Sequence, residues 1–489
     1  MSYFETLPSI PLVRPILNIG SIFNIATGAY FKGQYNQNIL SGGLHHIVSV
    51  EGPPNSFKSA ILDFMNLSAA NNYPVYTYSK YDTETTGSYI RLKSLCRPFS
   101  RLKDIQHGSD ELSPEDKKVV ITSNIEMPGE VYFENIKQIA KNKNKNDKLL
   151  TTPFVTPGGK LLKSLPPFGT SIDSISEFKV TDVEEKIKEE NMLGESGNNT
   201  YFLRNGLVKK LLMTQLPSIT VGSGIYATMS VHVGNEFTMD VRAPKPHKLT
   251  YSKRGSKAMG STKTYEYLVS TIYEIYNAVR LNNAVKDTGV LYPSIESDRL
   301  PDCKDLMQVN IVITRNKYGE TGIPINIIVS QRDGVLEHLS MFDELKEYDR
   351  FGISGNNTSY VLDLVPDITL QRTTVRNIID ENPKIRRALE ITYEMMYMRH
   401  FWAPLPDGKM CTPAELYKGL KEKGYDWEIL LNTRNHWQYV EFEYDYLPEL
   451  STMDLLEMRI DTYKPYWQNK DYIKKAKGFQ AEVLNKLLA

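Results

Sequence analysis

The chain predicts an α/β fold on a mainly parallel central sheet, followed by a small helical domain. Three observations carry this. Apolar runs alternate with helix-like segments over residues 36–95, the pattern of parallel strands covered on both faces. A tight Gly/Pro loop joins the run Ile47-Val48-Ser49-Val50 to a helix-like segment beginning at Lys58. From about residue 364 helical spacing takes over, and Trp402, Trp427, Trp437 and Trp467 all fall there.

The elements follow in order. Residues 1–35 mix apolar side chains with Pro8, Pro11 and Pro15, and predict an extended arm that packs on its own core or on a neighbouring subunit. The core spans 36–363. It opens with a strand over 46–50, a helix from 58 to about 70 and a strand over 74–81. Residues 96–160 are polar and lysine-rich and predict an insertion, with the run Lys141–Asn146 as a solvated helix end or loop. Phe168–Ile172 predicts a strand ending on Asp173, although Pro166-Pro167 suits a central strand poorly. A helix near 204–216 and a strand over 224–232 come next. Residues 234–263 are basic and rich in Gly, Pro and Ser, a long loop of the kind that tends to be functional or disordered. The runs 309–314 and 324–329 bracket Arg315-Asn316-Lys317-Tyr318-Gly319 and predict a hairpin. In the helical domain, 364–489, Thr412-Pro413-Ala414-Glu415 opens a helix with an N-cap and a first-turn proline. Its tryptophans are expected mostly in the core.

Composition limits the functions available. A chain of 489 residues exceeds one core and predicts two or three domains. Lys+Arg and Asp+Glu balance at 58 each, for a formal net charge of zero. Bulk attraction to nucleic acid is therefore not signalled, and any such site must be a local patch. Cys96, Cys303 and Cys411 are scattered, which argues for a reducing compartment and against a disulfide framework or zinc site. A leader pattern and an apolar run of membrane length are both missing from the sequence, so a soluble intracellular protein is expected.

The chemistry begins at Gly52-Pro53-Pro54-Asn55-Ser56-Phe57-Lys58-Ser59. A loop between a strand and a helix N-terminus aims backbone N–H groups at one spot, where the helix dipole also favours an anion. Lys58 adds a mobile charge for outer phosphates, and the Ser59 hydroxyl can ligate Mg²⁺. Phe57 stands where the usual phosphate-binding loop has its second glycine, at a position whose conformation side chains resist. Phosphoryl transfer to water also needs a second metal-side group and a group that orients the water. Asp173, at the end of its strand, is the candidate for the first.

Glu84 follows a strand whose C-terminal end should face the same crevice, with Asp82 as its supporting partner. His232 ends another strand; a lone histidine there is otherwise more often structural. Beyond it lies the one strong basic cluster, comprising Arg242, Lys245, His247, Lys248, Lys253, Arg254, Lys257 and Lys263. Gly255 and Gly260 let backbone approach a phosphodiester closely. The region 177–203 is more acidic and a weaker candidate for that role.

Gly-Pro-x-x-x-Phe-Lys-Ser closely resembles the variant phosphate-binding loop of the phage UvsX recombinases, a branch of the RecA family. Asn24-Ile25-Ala26-Thr27-Gly28, Ser41-Gly42-Gly43-Leu44 and Tyr81-Asp82-Thr83-Glu84-Thr85-Thr86-Gly87 resemble that branch as well. The resemblance is specific over 15–95, patchy over 165–335 and faint beyond. It implies a RecA-like P-loop ATPase core, with ATP and Mg²⁺ as cofactors. It implies that Glu84 orients and deprotonates the attacking water, that Asp-Ser-Ile-Ser at 173 is the metal-side segment, and that His232 senses the γ-phosphate. It places a DNA-binding loop at the basic cluster, and makes Arg315 and Lys317 a pair reaching a neighbouring subunit's nucleotide.

The function so implied is a DNA-dependent ATPase and recombinase of bacteriophage, acting in the bacterial host's cytoplasm in DNA recombination, repair and replication. Its partners would be single-stranded DNA, homologous duplex DNA, further copies of itself in a helical filament, and a loader or single-stranded-DNA-binding protein. A hexameric replicative helicase could use the same core, but usually carries a further domain ahead of it. A P-loop filament protein that binds ATP without turnover is the other alternative.

Overall fold

The computed structural model describes residues 14–104, 117–178, 195–235, 256–258, 263–282, 289–402, 405, 408–468 and 474–475. Helix α1 (Ser21–Thr27) and a hairpin, β1 (Ala29–Lys32) with β2 (Asn38–Ser41), lead into the central sheet. Its first strand, β3 (Ile47–Gly52), is buried at every residue, as a near-continuous apolar parallel strand should be. Then come α2 (Lys58–Asn72), β4 (Thr77–Asp82), α3 (Tyr89–Cys96), β5 (Val119–Ser123) and α4 (Gly129–Asn146). A side hairpin, β6 (Leu150–Val155) with β7 (Leu161–Ser164), precedes β8 (Phe168–Asp173). The long helix α5 (Glu195–Ser223) leads to β9 (Ile225–Asn235), β10 (Ser256–Ala258) and α6 (Lys263–Leu268). Strands β11 (Thr271–Arg280), β12 (Leu306–Asn316), β13 (Pro324–Ser330) and β14 (Gly334–Val335) complete the sheet.

Hydrogen bonding orders the sheet β14-β13-β12-β11-β3-β9-β8-β4-β5, with β10 beside the end of β9. Every pairing from β11 across to β5 is parallel, and those from β11 to β14 are antiparallel. The α/β class and the mostly parallel sheet therefore agree with the sequence. So do the hairpin of β12 and β13 and the capping box of Thr412 with Glu415 on the helix Pro413–Glu422.

Side chains alternate between the two faces of a strand. Val48 and Val50 join α2 residues such as Leu62 and Met65 in one core, while Ile47 joins Phe133, Ile136, Met213 and Leu216 in the other.

Hydrophobic packing runs across the boundaries expected at 35 and 364. Residues 1–13 of the expected arm lie outside the described residues, but from Ile16 the chain is built into its own core. Trp437, fully buried, donates its indole N–H to the Ile16 carbonyl at 2.9 Å, and Ser21 donates to Glu394 at 2.7 Å. Apolar residues that suggested an arm are thus covered by the C-terminal helices. Those helices share one continuous hydrophobic cluster with the sheet and do not form a core of their own. A three-stranded sheet, Ile353–Gly355, Ser359–Leu362 and Val365–Gln371, straddles the boundary expected at 364. Trp427 and Trp467 are buried, and Trp402 is half-buried.

Part of the expected insertion belongs to the sheet. Strand β5, Val119–Ser123, pairs with β4 at the edge of the sheet, and the Lys141–Asn146 run is the last turns of α4.

Candidate functional site

The parallel strands end at one level. Gly52 of β3 is in register with His232 of β9, and Asp82 of β4 with Asp173 of β8. An open cleft of about 680 Å³ lies at this edge, between the loop 53–59 and the segment after Asp82. That volume suits a ligand of nucleotide size. Crevices at the carboxyl ends of parallel strands are where open α/β sheets bind ligands.

The loop from Gly52 to Ser59 is wound tightly. A Cβ on Gly52 would stand 2.6 Å from Ser56 Oγ, so any other residue there would have to push that hydroxyl aside. Ser56 Oγ donates to the Pro53 carbonyl at 2.7 Å, and Lys58 Nζ to the same oxygen at 2.8 Å. Asn55 and Phe57 both take left-handed backbone, with φ of 58° and 66°. Phe57 therefore keeps the conformation usual for glycine there. The cost is about 1–2 kcal/mol, and its ring, half-buried against the core, offsets part of it. Lys58 is only 6% exposed. Burial pulls its ammonium below the ordinary lysine range, while Asp173 and Glu84 oppose that shift.

Asp173 is buried at the floor of the cleft and accepts a hydrogen bond from the Ser230 hydroxyl, with Ser59 beside it on the cleft wall. Burial alone would raise its carboxyl. Lys80, Ser230 and Ser59 outweigh burial and hold it below the ordinary range. The strand end is clamped by Thr83, whose N–H reaches the Asp173 carbonyl at 2.8 Å and whose hydroxyl reaches the Ser174 carbonyl at 2.9 Å.

Glu84 projects from the turn after β4. Asp82, buried, shapes that turn by accepting from the N–H groups of Glu84, at 3.0 Å, and of Gly87. Across the cleft, His232 Nε2 lies 2.8 Å from Glu84 Oε1. Lys58, Ser59, Glu84, Asp173 and His232 thus line one cleft.

Arg315 and Lys317 do not join them. Both sit at the opposite edge of the sheet, where Ile272, the partner of Arg315, pairs with Ser49 near the start of β3. Arg315 holds the carbonyls of Val269 and Tyr267 at 2.9 and 3.1 Å, and Lys317 that of Leu268 at 2.9 Å. Their own chain's cleft is out of reach. Of the basic loop, Arg242, Lys245, Lys248, Lys253 and Arg254 lie outside the described residues. The backbone at Lys257 and Lys263 is described, in β10 and α6. Strand β10 pairs antiparallel with the end of β9, Lys257 opposite Gly234, so the loop leaves and returns just beyond His232.

Sequence reasoning missed Lys80, Asp63 and Ser230. Lys80 Nζ stands 3.0 Å from both Asp63 carboxylate oxygens and 3.4 Å from Asp173 Oδ2. A signal existed: Asp63 interrupts the apolar run Ile61-Leu62-Asp63-Phe64-Met65, where a charge needs a partner.

A metal carried by phosphates fits this donor set. Mg²⁺ typically takes one or two protein groups and completes its shell from phosphates and water, and Ser59 with Asp173 offers one hydroxyl and one carboxylate. Among the described residues no group of three or more His, Cys, Asp or Glu side chains is placed to hold a metal ion. Nor is any helix among them long and apolar enough to cross a membrane. No known family model matches this chain, and no curated protein does.

Proposed function

We propose that this chain is an ATP-hydrolysing, DNA-binding recombinase of the RecA type, similar to the phage UvsX branch. It would assemble on single-stranded DNA with ATP, pair that strand with homologous duplex, and reset by hydrolysis. The observation that carries the reading is the convergence of Lys58, Ser59, Glu84, Asp173 and His232 on one cleft at the carboxyl ends of the parallel strands.

Each group then has a task. The loop's N–H groups and the N-terminus of α2 receive the phosphate oxygens. Lys58 leaves the Pro53 carbonyl for the outer phosphates. Ser59 and Asp173 would hold Mg²⁺, which neutralises charge on the phosphates as the γ-phosphoryl departs. Glu84 takes the proton of the attacking water. Held by His232 without nucleotide, Glu84 is released when the histidine turns to the γ-phosphate, and β9 carries that movement into the basic loop beside it. Arg315 and Lys317, facing away from their own cleft, suit contact with the nucleotide of the next subunit.

Electron microscopy of the protein with ATP, with and without single-stranded DNA, tests the assignment. DNA-dependent open helical filaments support it. Closed rings would point to a helicase, and no assembly with no DNA-stimulated hydrolysis would reject the proposal.

A further inference from the structure

Among the charged groups that line the cleft and that the proposed reaction leaves without a task is Lys80. It lies on β4 between two carboxylates, Asp63 on α2 and Asp173 on β8. All three side chains are about nine-tenths buried. Their oxygens are already engaged. Asp63 Oδ1 accepts from Lys80 and from the Tyr78 hydroxyl, and Oδ2 from Lys80. Asp173 Oδ1 accepts from Ser230, and its Oδ2 faces Lys80. The ammonium occupies the place between two carboxylates where a bound cation would otherwise be drawn.

We propose that Lys80 is a resident cation that bars free divalent metal from this cleft, so that metal enters only with a phosphate-bearing ligand. Two neighbouring buried carboxylates without a cation would form a strong attractor for a divalent ion. With Lys80 between them the trio carries one net negative charge in place of two. An ion held by Asp173 Oδ2 would also face the ammonium, which stands 3.4 Å from that oxygen. For a double charge about 4 Å away the repulsion alone weakens binding on the order of thirtyfold, even with water-like screening. A triphosphate supplies its own oxygen ligands, so a metal arriving with it needs only Ser59 and one edge of Asp173. This last step rests on the proposed nucleotide site; the barring of free metal does not.

The test titrates Mn²⁺ into full-length, nucleotide-free protein, with free Mn²⁺ read by electron paramagnetic resonance. Lys80→Met should bind on the order of thirtyfold more tightly than wild type. Lys80→Arg, which keeps the charge, should stay near wild type, and the gain should vanish in Lys80→Met/Asp173→Asn. If Lys80→Met fails to fold by circular dichroism, Lys80→Met/Asp63→Leu removes the uncompensated charge, and it should still bind more tightly than wild type. Folded variants with wild-type Mn²⁺ affinity would overturn the proposal, as would a gain that survives loss of Asp173. ATP binding by the wild type is measured separately. Its failure would count against the nucleotide site and leave the Mn²⁺ result readable.

Discussion

His232 Nε2 lies 2.8 Å from Glu84 Oε1, and the two residues meet over the end of β8, the strand that lies between theirs and carries Asp173. In the proposed reaction, a water-activating carboxylate and a phosphate-sensing imidazole that hold each other at rest would make hydrolysis conditional on the nucleotide. Glu84→Gln should keep nucleotide binding and assembly yet slow hydrolysis on the order of 10²–10⁴-fold. Single-turnover hydrolysis with a parallel binding assay checks this. Asp82→Asn should be milder, since Asp82 only shapes the turn. A severe Asp82→Asn beside a near-normal Glu84→Gln would reverse the two roles.

Phe57 occupies left-handed backbone at φ 66°. Under the proposed function the loop's shape, and not the phenyl ring, is what a phosphate site here would require. Phe57→Gly should therefore retain nucleotide affinity. Phe57→Val puts a β-branched side chain, which resists left-handed backbone more than Phe does, in the same conformation and removes the ring's packing, so it should lower affinity or thermal stability below wild type. Equal losses in both variants would place the ring itself in the site.

Lys58→Ala should abolish ATP binding or turnover. No other side chain of the loop offers a point charge to the β- and γ-phosphates. Turnover at the wild-type rate would remove the loop from the reaction altogether.

What the sequence made legible was local. Gly52 to Ser59 announces itself because strand, tight loop and helix are contiguous, and Glu84 and His232 follow apolar runs that end in polar residues. Lys80 was hidden, because its partners Asp63 and Asp173 come from other elements and one lysine in a strand resembles any outward-facing residue. Edge strand β5, Val119-Val120-Ile121-Thr122-Ser123, is β-like by itself and was masked by the polar, lysine-rich residues around it. Ile16 to Ala26 read as an arm because the surface that covers them, around Trp437 and Glu394, lies hundreds of residues away. Periodicity reports which faces are apolar, not what they meet.

The basic loop supplies a prediction that depends on charge alone. Neutralising Lys253, Arg254 and Lys257 together should weaken single-stranded DNA binding and flatten its salt dependence. The log–log slope should fall by about 0.7 for each phosphate that the variant no longer neutralises. ATP hydrolysis without DNA should change little. A variant with unchanged affinity and slope would reduce the segment to a solvated connection.

Arg315 and Lys317 sit at the far edge of the sheet, bonded to the carbonyls of Tyr267, Leu268 and Val269 at the end of α6. Two roles account for that placement. They cap a short helix, or they stand ready for a neighbour's nucleotide, where a cation supplied in trans is worth roughly 10³–10⁵ in rate. The roles separate on stability and on mixing. Capping predicts that Arg315→Ala/Lys317→Ala lowers the melting temperature and that its hydrolysis defect stays within each chain. Action in trans predicts a folded, assembling double mutant that hydrolyses slowly alone. It should regain activity when mixed with Lys58→Ala protein, because adjacent subunits in one orientation then combine an intact cleft with intact cations. Activity should peak at intermediate mixing ratios. If the two proteins co-assemble and no ratio restores hydrolysis, the cations serve their own chain.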